Sequence, residues 1–274
     1  MLLVLTNFID SLMDFLSAPF VEAFLTATFI GSGAVLKKKV DTKAFKNLWG
    51  KFLGESDSEI HVVLPLIRQK TLFSEITNKQ SKIPNNVLFL PYDEALGIQL
   101  LKDAIEKAYP KRKVIFHDSR NFVGDHKSFI CVGGPAVNVV SRDLLLTRKI
   151  DAKFKMDFLG RFAVDEVDES LYKTNTLKGS ITDDYGFIFF TQNPYHKGSC
   201  VCLVFGIWSH GTYSAVQALC QKGKPLKELV RYLKDNKSLF AVTKSTVRGM
   251  VTGFPSVEKL RKIEAHCQAS ADST

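Results

Sequence analysis

"CVCLVFGIWSHGTYSAVQALCQ", residues 200–221, is the stretch that decides the fold prediction. Its first seven residues are apolar throughout, which is typical of a strand that is covered on both faces of a sheet. A turn of small and polar residues follows, and residues 211–221 then have the pattern of a helix. A buried strand followed directly by a helix is the repeating unit of a parallel α/β domain.

The same alternation of apolar runs and helical patterns extends over the chain from Glu59 onward. In residues 93–108, for example, Leu96, Leu100 and Ile105 form one apolar stripe, which predicts a helix. The whole pattern predicts a Rossmann-like three-layer α/β sandwich with a mostly parallel sheet. The predicted strands are 60–66, 86–90, 113–117, 128–132, 185–191, 200–206 and 239–243, and the other predicted helices are 135–146, 211–221 and 225–235. Residues 157–184 break the alternation and are rich in acids, so they predict an exposed excursion.

The net charge of +9 is concentrated in two stretches of the chain. Residues 37–51 hold six lysines against one acid, and residues 222–262 hold eleven lysines and arginines against three acids. We expect these stretches to face an anionic partner.

The N-terminal residues predict attachment to a membrane. Residues 15–36 contain a single charge, Glu22, and are long enough as a helix to cross the hydrocarbon layer. Residues 37–39 are lysines, which predicts a single-pass inner-membrane protein with its main domain in the cytoplasm. Pro19 and Glu22 leave a buried or surface-lying helix as the alternative.

Other features of the N-terminal region refine this prediction. Ala23, Ala27 and Gly31 form a small-residue stripe that favours helix association, so we expect a homo-oligomer. The lysines of 37–51 would contact anionic lipid. The predicted divisions are 1–36 (an amphipathic and a transmembrane segment), 37–58 (a basic juxtamembrane linker), 59–267 (the Rossmann-like domain) and 268–274 (a flexible tail).

The cysteines and histidines do not predict a metal site. Five cysteines without a CxxC pair are typical of a reducing compartment, where cysteine acts as an apolar core residue. His117 and His126 lie beside Asp118 and Asp125, but their spacing is not that of a ligand set.

Polar and glycine-rich loops follow several of the predicted strands, at the edge where parallel α/β sheets bind ligands. Gly133-Gly134-Pro135 opens one helix, and Gly211-Thr212 opens another. Each would leave backbone N–H groups aimed at an anion, which favours a nucleotide or another phosphorylated ligand. Tight turns without a ligand are the alternative. The predicted ligand-binding residues are Asp93, Ser119, Arg120, Gly133, Gly134, Pro135, Asn138, Asn193, Trp208, Gly211 and Thr212.

The same loops hold the residues that could transfer protons. Glu94, Asp118, His117 and His210 are the candidates for acid–base catalysis, and no cofactor other than a nucleotide-type ligand is indicated. Glu94 has an alternative role as a carboxylate that stabilises a helix N-terminus.

Three motifs carry a resemblance over residues 86–221. GGPAVN at 133–138, DYGFIFF at 184–190 with Asn193-Pro194, and VFGIWSHGT at 204–212 resemble a pattern found in poorly characterised prokaryotic Rossmann-like domains. The combination of a membrane helix with such a domain is similar to bacterial defence effectors in which a nucleotide-binding domain of the SLOG, CARF or TIR kind controls an output.

These observations leave three functional hypotheses open. The first is a membrane-anchored domain that senses a nucleotide or phosphorylated ligand and acts through helix oligomerisation in signalling or antiviral defence. The second is a nucleotide or NAD glycosidic hydrolase or transferase that uses Glu94 or Asp118. The third is an interaction platform with an empty pocket. Nucleic acid is an improbable partner, because aromatic and basic residues are not interleaved.

Overall fold

The computed structural model describes residues 42–50, 59–65, 67–68, 88–123, 128–147, 149–150, 152–157, 162–196 and 198–263. All of them belong to one compact unit, Val40–Thr274. The helices are α1 (Thr42–Trp49), α2 (Tyr92–Ala108), α3 (Val139–Leu146), α4 (Ser209–Cys220) and α5 (Lys224–Asp235). The strands are β1 (Glu59–Leu64), β2 (Ile67–Arg68), β3 (Leu88–Phe89), β4 (Lys113–Asp118), β5 (Phe129–Val132), β6 (Phe154–Met156), β7 (Phe162–Asp165), β8 (Ser170–Lys173), β9 (Thr176–Leu177), β10 (Ser180–Ile181), β11 (Asp183–Gln192), β12 (Cys200–Gly206), β13 (Leu239–Arg248), β14 (Val251–Thr252) and β15 (Ser256–Arg261).

The main sheet is mixed, so the prediction of a mostly parallel Rossmann-like sandwich is wrong. Its strand order is β14-β13-β11-β12-β5-β1-β4, and β15 also pairs with β13. The neighbours β12, β5, β1 and β4 run parallel. Strand β11 runs antiparallel to both β12 and β13, and β14 and β15 run antiparallel to β13.

The length of one connection explains why the sheet is mixed. Only residues 193–199 separate β11 from β12. A parallel connection needs a dozen or more residues to return to the same end of the sheet, so these neighbours are antiparallel. Apolar composition alone indicated that both strands are buried, but it did not indicate their direction.

Four helices cover one face of the main sheet. Helices α1, α2, α4 and α5 contribute apolar side chains to a single core cluster with that face. Trp49 of α1 packs edge-on against Phe190 of β11, with ring centroids 5.0 Å apart. The predicted basic linker 37–58 therefore contains a helix of the domain, because Phe45, Leu48 and Trp49 share the face of α1 that is buried.

The opposite face of the sheet is covered differently. Val140 and Leu144 of α3 and Tyr172 of β8 pack there with a cluster of phenylalanines from β11, β12 and β13. The small sheet β6-β7-β8 completes this layer, and its Phe154 packs against Phe189 with ring centroids 5.3 Å apart. In the part of the chain that the structure describes, this layer is thus one helix and a small sheet, rather than the second helical layer of the predicted sandwich.

Residues 157–184, which were predicted as an exposed excursion, form strands β7 to β10 and the first residues of β11 in the part that the structure describes. Asp165 is fully buried and accepts two hydrogen bonds of 2.9 Å from Arg261 of β15, and Lys259 lies 2.5 Å away. Burial alone would raise the pKa of Asp165, but the bonds from Arg261 and Lys259 hold it below its usual value. Glu166, Asp168 and Glu169 of this stretch are exposed as predicted, whereas Asp165 is buried against cationic partners that are about 95 residues away in the chain.

The N-terminal predictions lie outside the described residues. These are the segment 1–36 with its membrane helix over 15–36, and the lysines 37–39. Within the described ranges, every helix is too short or too polar to cross a membrane. The fold class is therefore corrected to a mixed α/β domain, with no membrane-spanning helix among the residues described. The predicted tail, 268–274, also lies outside them.

Candidate functional site

The ends of four strands bring several predicted site residues to one edge of the main sheet. Strands β1, β4, β5 and β12 are parallel, so their carboxyl ends share this edge. Backbone bonds tie the loops together there: the N–H of Ser119 donates to Leu64 at 3.1 Å, and the N–H of Gly133 donates to Val204 at 2.9 Å. The predicted grouping of the loops after these strands is observed.

Asn193 lies at the opposite edge of the sheet. It follows β11, which is antiparallel to β12, and the register pairs Gln192 with Cys200 at the start of β12. The first residues of β11 lie at the site edge instead, and these include Asp184. Because β11 runs in the reverse direction, the buried carboxylate of Asp184 lies at this edge, and the predicted Asn193 does not.

Asn138 occupies the helix start that was predicted to bind an anion. Its Oδ1 accepts hydrogen bonds from the N–H groups of Val140 at 3.0 Å and Ser141 at 3.2 Å. Its Nδ2 donates to the carbonyls of Val132 at 2.7 Å and Val63 at 3.4 Å, and the residue is fully buried. Asn138 thus caps α3 and joins it to the ends of β5 and β1.

Three more amides of this turn are bonded within the protein. The N–H groups of Val137 and Asn138 donate to Gly134, and that of Val139 donates to Ser119 Oγ at 3.4 Å. Gly133 has φ +94°, and a Cβ there would lie 2.6 Å from Pro65, so the turn requires glycine for its conformation and for space. The geometry matches the alternative that the sequence left open, a tight turn between a strand and a helix.

The second glycine-opened helix, α4, holds an internal carboxylate at its N-terminus. Asp184 Oδ2 accepts hydrogen bonds from the N–H groups of Gly211 at 2.6 Å and Trp208 at 3.1 Å. Its Oδ1 accepts from Thr174 and from its own neighbour Tyr185. Burial raises the pKa of Asp184 to about 6, although these donors favour the charged form. The position expected for a ligand phosphate is filled by a side chain.

Glycines allow the start of α4 to touch the sheet. A Cβ at Gly206 would lie 2.3 Å from the N atom of Thr212, and one at Gly186 would lie 2.3 Å from the carbonyl oxygen of Gly211. A Cβ at Gly211 would lie 2.1 Å from the carbonyl oxygen of Tyr185. These glycines of the DYG and GIWSHG motifs therefore have a packing role, which brings the residues after Gly206 directly above the strand ends.

His117 and Asp118, predicted as catalytic, lie on the edge strand β4 and are engaged by neighbours. His117 Nε2 lies 2.9 Å from His61 Nδ1. Asp118 accepts hydrogen bonds from the guanidinium of Arg120, including Nε to Oδ1 at 2.9 Å, and from the Arg120 N–H at 3.0 Å. This bond to Asp118 raises the pKa of the Arg120 guanidinium. The pair neutralises the charge of both predicted site residues.

The strongest arrangement for proton transfer is formed by His210 and Asp93. His210 Nδ1 lies 2.8 Å from Asp93 Oδ2 and 2.9 Å from Thr252 Oγ1. The Thr252 hydroxyl donates to Asp93 Oδ1 at 3.4 Å. Among the described residues, none forms a hydrogen bond with His210 Nε2. The bond to Asp93 raises the pKa of His210 above its usual value.

Glu94 lies next to this pair, and its side chain is buried where α2 contacts α4. Its Oε1 accepts from the Thr212 hydroxyl at 3.4 Å, and its buried Oε2 has no hydrogen-bond partner. Burial raises the pKa of Glu94 to about 7, and the neighbouring charge of Asp93 acts in the same direction. The carboxyl is therefore largely protonated below neutral pH, unlike an ordinary glutamate.

The first turns of two helices bring this cluster together. Asp93 and Glu94 begin α2, where carboxylates interact favourably with the helix dipole. His210 and Thr212 begin α4, which packs along α2. Thr252 comes from the β13–β14 hairpin, at the same edge because β13 runs in the direction of β12. Sequence reasoning missed Thr252 and Asp184, since neither has a local pattern that indicates its partner.

Each element that contributes to the Asp93–His210 pair and its Thr252 contact also carries an exposed aromatic side chain nearby in the sequence. Tyr92 precedes Asp93, Trp208 precedes the first turn of α4, and Phe254 follows Thr252; these side chains are 45%, 45% and 48% exposed. Met250 and Val251 at the hairpin tip are also exposed. The elements that carry the polar cluster thus also carry flat apolar groups that could hold a ring-bearing ligand.

Within the described ranges, no group of three or more histidine, cysteine, aspartate or glutamate side chains has the arrangement of a metal site. The predicted pair Asp125 and His126 lies outside those ranges.

No protein-family model matches the sequence, and neither a curated protein nor a solved structure matches the chain. The resemblance to prokaryotic Rossmann-like domains therefore remains a prediction from three short motifs.

Proposed function

We propose that this protein is a hydrolase in which His210, oriented by Asp93, transfers a proton to and from the reacting molecules. The observation that carries the proposal is the 2.8 Å contact between Asp93 Oδ2 and His210 Nδ1, which leaves Nε2 for the substrate. A carboxylate that fixes the tautomer and orientation of a histidine is a recurring arrangement in acid–base catalysis.

The proposed step has a simple proton balance. His210 Nε2 accepts a proton from a water molecule whose oxygen forms a bond to the electrophilic carbon of the substrate. The bond from that carbon to the leaving group breaks, and the leaving group takes the electron pair and receives the proton from the imidazolium. Asp93 stabilises the imidazolium between the two transfers and is not itself protonated.

Glu94 is assigned a positioning role rather than a catalytic one. Its carboxyl is buried and bonds inward to Thr212, so it does not face a substrate. While it remains protonated, it adds no charge beside Asp93. When it loses its proton, the added negative charge raises the pKa of His210, so that the neutral base forms only at a higher pH.

A glycosidic bond to a nucleobase is the substrate chemistry that we propose. Tyr92 and Trp208 provide exposed aromatic faces on which a flat base could stack, whereas the ring of Phe254 lies against Gly223, beyond the end of α4. This choice follows the hydrolase hypothesis from the sequence and moves its centre from Glu94 and Asp118 to His210. The nucleotide-sensing hypothesis relied on free amide groups at 133–138 and 211–212, and the amides identified there bond within the protein.

The test is release of free base by the full chain. It would be incubated separately with nucleosides, nucleotides and NAD, and the products would be separated by chromatography. We expect His210→Ala to lower the rate of base release by at least about 100-fold, because it removes the proton-transfer group. His196→Ala is the matched control, since His196 is half-buried in a turn at the opposite edge, beside Ser199.

The pH profile separates a catalytic role from a structural one. His210 must be neutral to act as the base, so the rate should rise with pH through a midpoint above 6.5. Asp93→Asn should move that midpoint downward, because it removes the charge that stabilises the imidazolium. Absence of base release by the wild-type chain, or an unchanged rate in His210→Ala, would refute the proposal.

A further inference from the structure

The tertiary structure brings parts of the two basic stretches of the sequence side by side. Helix α1, from the first stretch, packs against α5, from the second. A groove of about 460 Å³ lies between them, and its lining includes Lys46 of α1 and Arg231 and Lys234 of α5. Two cationic segments that are about 180 residues apart in the chain therefore form one surface.

Positive charge dominates the outer side of both helices. Lys43 and Lys46 are exposed on α1, and four basic residues are exposed on α5. The acids of α5 are Glu228, which lies 3.6 Å from Lys224, and Asp235 in the last turn. The exposed basic residues of α5 are Lys224, Lys227, Arg231 and Lys234.

The apolar sides of both helices are used within the domain. Phe45, Leu48 and Trp49 of α1 are at most 1% exposed, and Leu226, Leu229 and Leu233 of α5 are at most 2% exposed. The outer surface of the two helices therefore offers mainly cationic groups on aliphatic stems, and the partly buried Val230 is the apolar side chain that lines the groove. A partner would be held by its charge.

We propose that this surface, formed by α1 and α5, binds the anionic headgroups of a lipid bilayer. Of the aromatic side chains of the two helices, Phe45 and Trp49 are buried and Tyr232 is half-buried, so neither helix presents a fully exposed ring on which nucleic-acid bases could stack. The sequence before α1 includes 15–36, which holds one charge in its length, so a lipid surface suits the upstream sequence better than a polyanion in solution. Each exposed lysine or arginine contributes through attraction to negatively charged lipid.

The test measures partition of the full chain onto vesicles. Phosphatidylcholine vesicles with and without about 30% phosphatidylserine would be sedimented at low and high salt. We expect at least about tenfold stronger binding to the anionic vesicles, and we expect this gain to disappear at about 1 M salt. The variant Lys46→Glu/Arg231→Glu/Lys234→Glu should lose the gain while keeping its binding to neutral vesicles.

A control with the same change in net charge is available on other elements. Lys155→Glu/Lys173→Glu/Lys178→Glu alters three exposed lysines of β6, β8 and the β9–β10 turn, away from α1 and α5, and should keep the gain. If the triple glutamate variant melts below the wild type, a variant with glutamine at Lys46, Arg231 and Lys234 would be tested in its place. Equal loss in the control, retention in the groove variants, or preference of the wild type for single-stranded RNA over anionic vesicles would overturn the proposal.

Discussion

At the residue scale, Asn138 shows how one buried side chain can cap a helix and join it to two strands. It makes four hydrogen bonds, two as the cap of α3 and two to the ends of β5 and β1. Asparagine is suited to this position because its amide group both accepts and donates. An aspartate could cap the helix but could not donate to the two carbonyls.

Removal of this amide has a predictable cost. We expect Asn138→Ala to lower the free energy of unfolding by about 2–4 kcal/mol, since it leaves buried carbonyls and helix amides without partners. Urea unfolding followed by circular dichroism would measure it. Asn121→Ala, in an exposed turn, is the control and should change stability by less than about 0.5 kcal/mol. A loss below about 1 kcal/mol for Asn138→Ala would contradict this assignment.

At the element scale, the packing of α4 on β11 and β12 sets the position of the polar cluster. The helix start lies directly against the backbone of the strands at Gly186 and Gly206. His210 and Thr212 reach Asp93 and Glu94 only because α4 also packs along α2. A small displacement of α4 would therefore separate both side-chain pairs together.

Addition of a single methyl group at Gly206 tests this packing. A Cβ there would overlap the backbone of α4, which cannot move as a flexible side chain does, so Gly206→Ala should destabilise the fold by about 3 kcal/mol or more. Gly97→Ala in α2 is the matched control, because its Cβ would meet Val216 at an ordinary distance of 3.4 Å. Thermal melting would compare them, and equal midpoints would show that α4 is not held as described.

At the scale of the whole molecule, several buried groups make stability depend on pH in the same direction. The pKa of Glu94 is raised to about 7, that of Asp184 to about 6, and that of His210 is also raised. Each therefore binds its proton more tightly in the folded chain than in the unfolded chain. Their contribution is fully present below the unfolded pKa values and is lost as the pH rises through the folded ones.

Glu94→Gln isolates one part of this effect. Glutamine cannot lose a proton, so the fall in the free energy of unfolding between pH 5 and about pH 8 should shrink by about 2–3 kcal/mol relative to the wild type. Urea unfolding at a series of pH values would measure it. Glu106→Gln, on the exposed side of the same helix, should keep the wild-type dependence. An unchanged dependence in Glu94→Gln would show that its carboxyl is charged throughout this range.

Much of the secondary structure followed from local patterns. The apolar run of β12, the stripe of α2 and the polar loops after β5 and β12 were all predictable, because burial on one face or both leaves a periodic trace in a short window. The grouping of the loops after the parallel strands was predictable for the same reason. Strand direction at β11 was also accessible in principle, since its connection to β12 is too short for a crossover.

Only the tertiary structure decided which polar groups meet. The bonds of Asn138 to Val63, of Asp184 to Gly211, and of His210 to Asp93 each join residues that are distant in the chain. Periodicity reports which side of an element is buried, but it carries no information about what lies opposite. The sequence by itself therefore determined where helices, strands and loops form. Long-range packing decided that Asn138 and Asp184 accept hydrogen bonds from amides at the two helix starts, and that an aspartate–histidine pair lies between two helix starts.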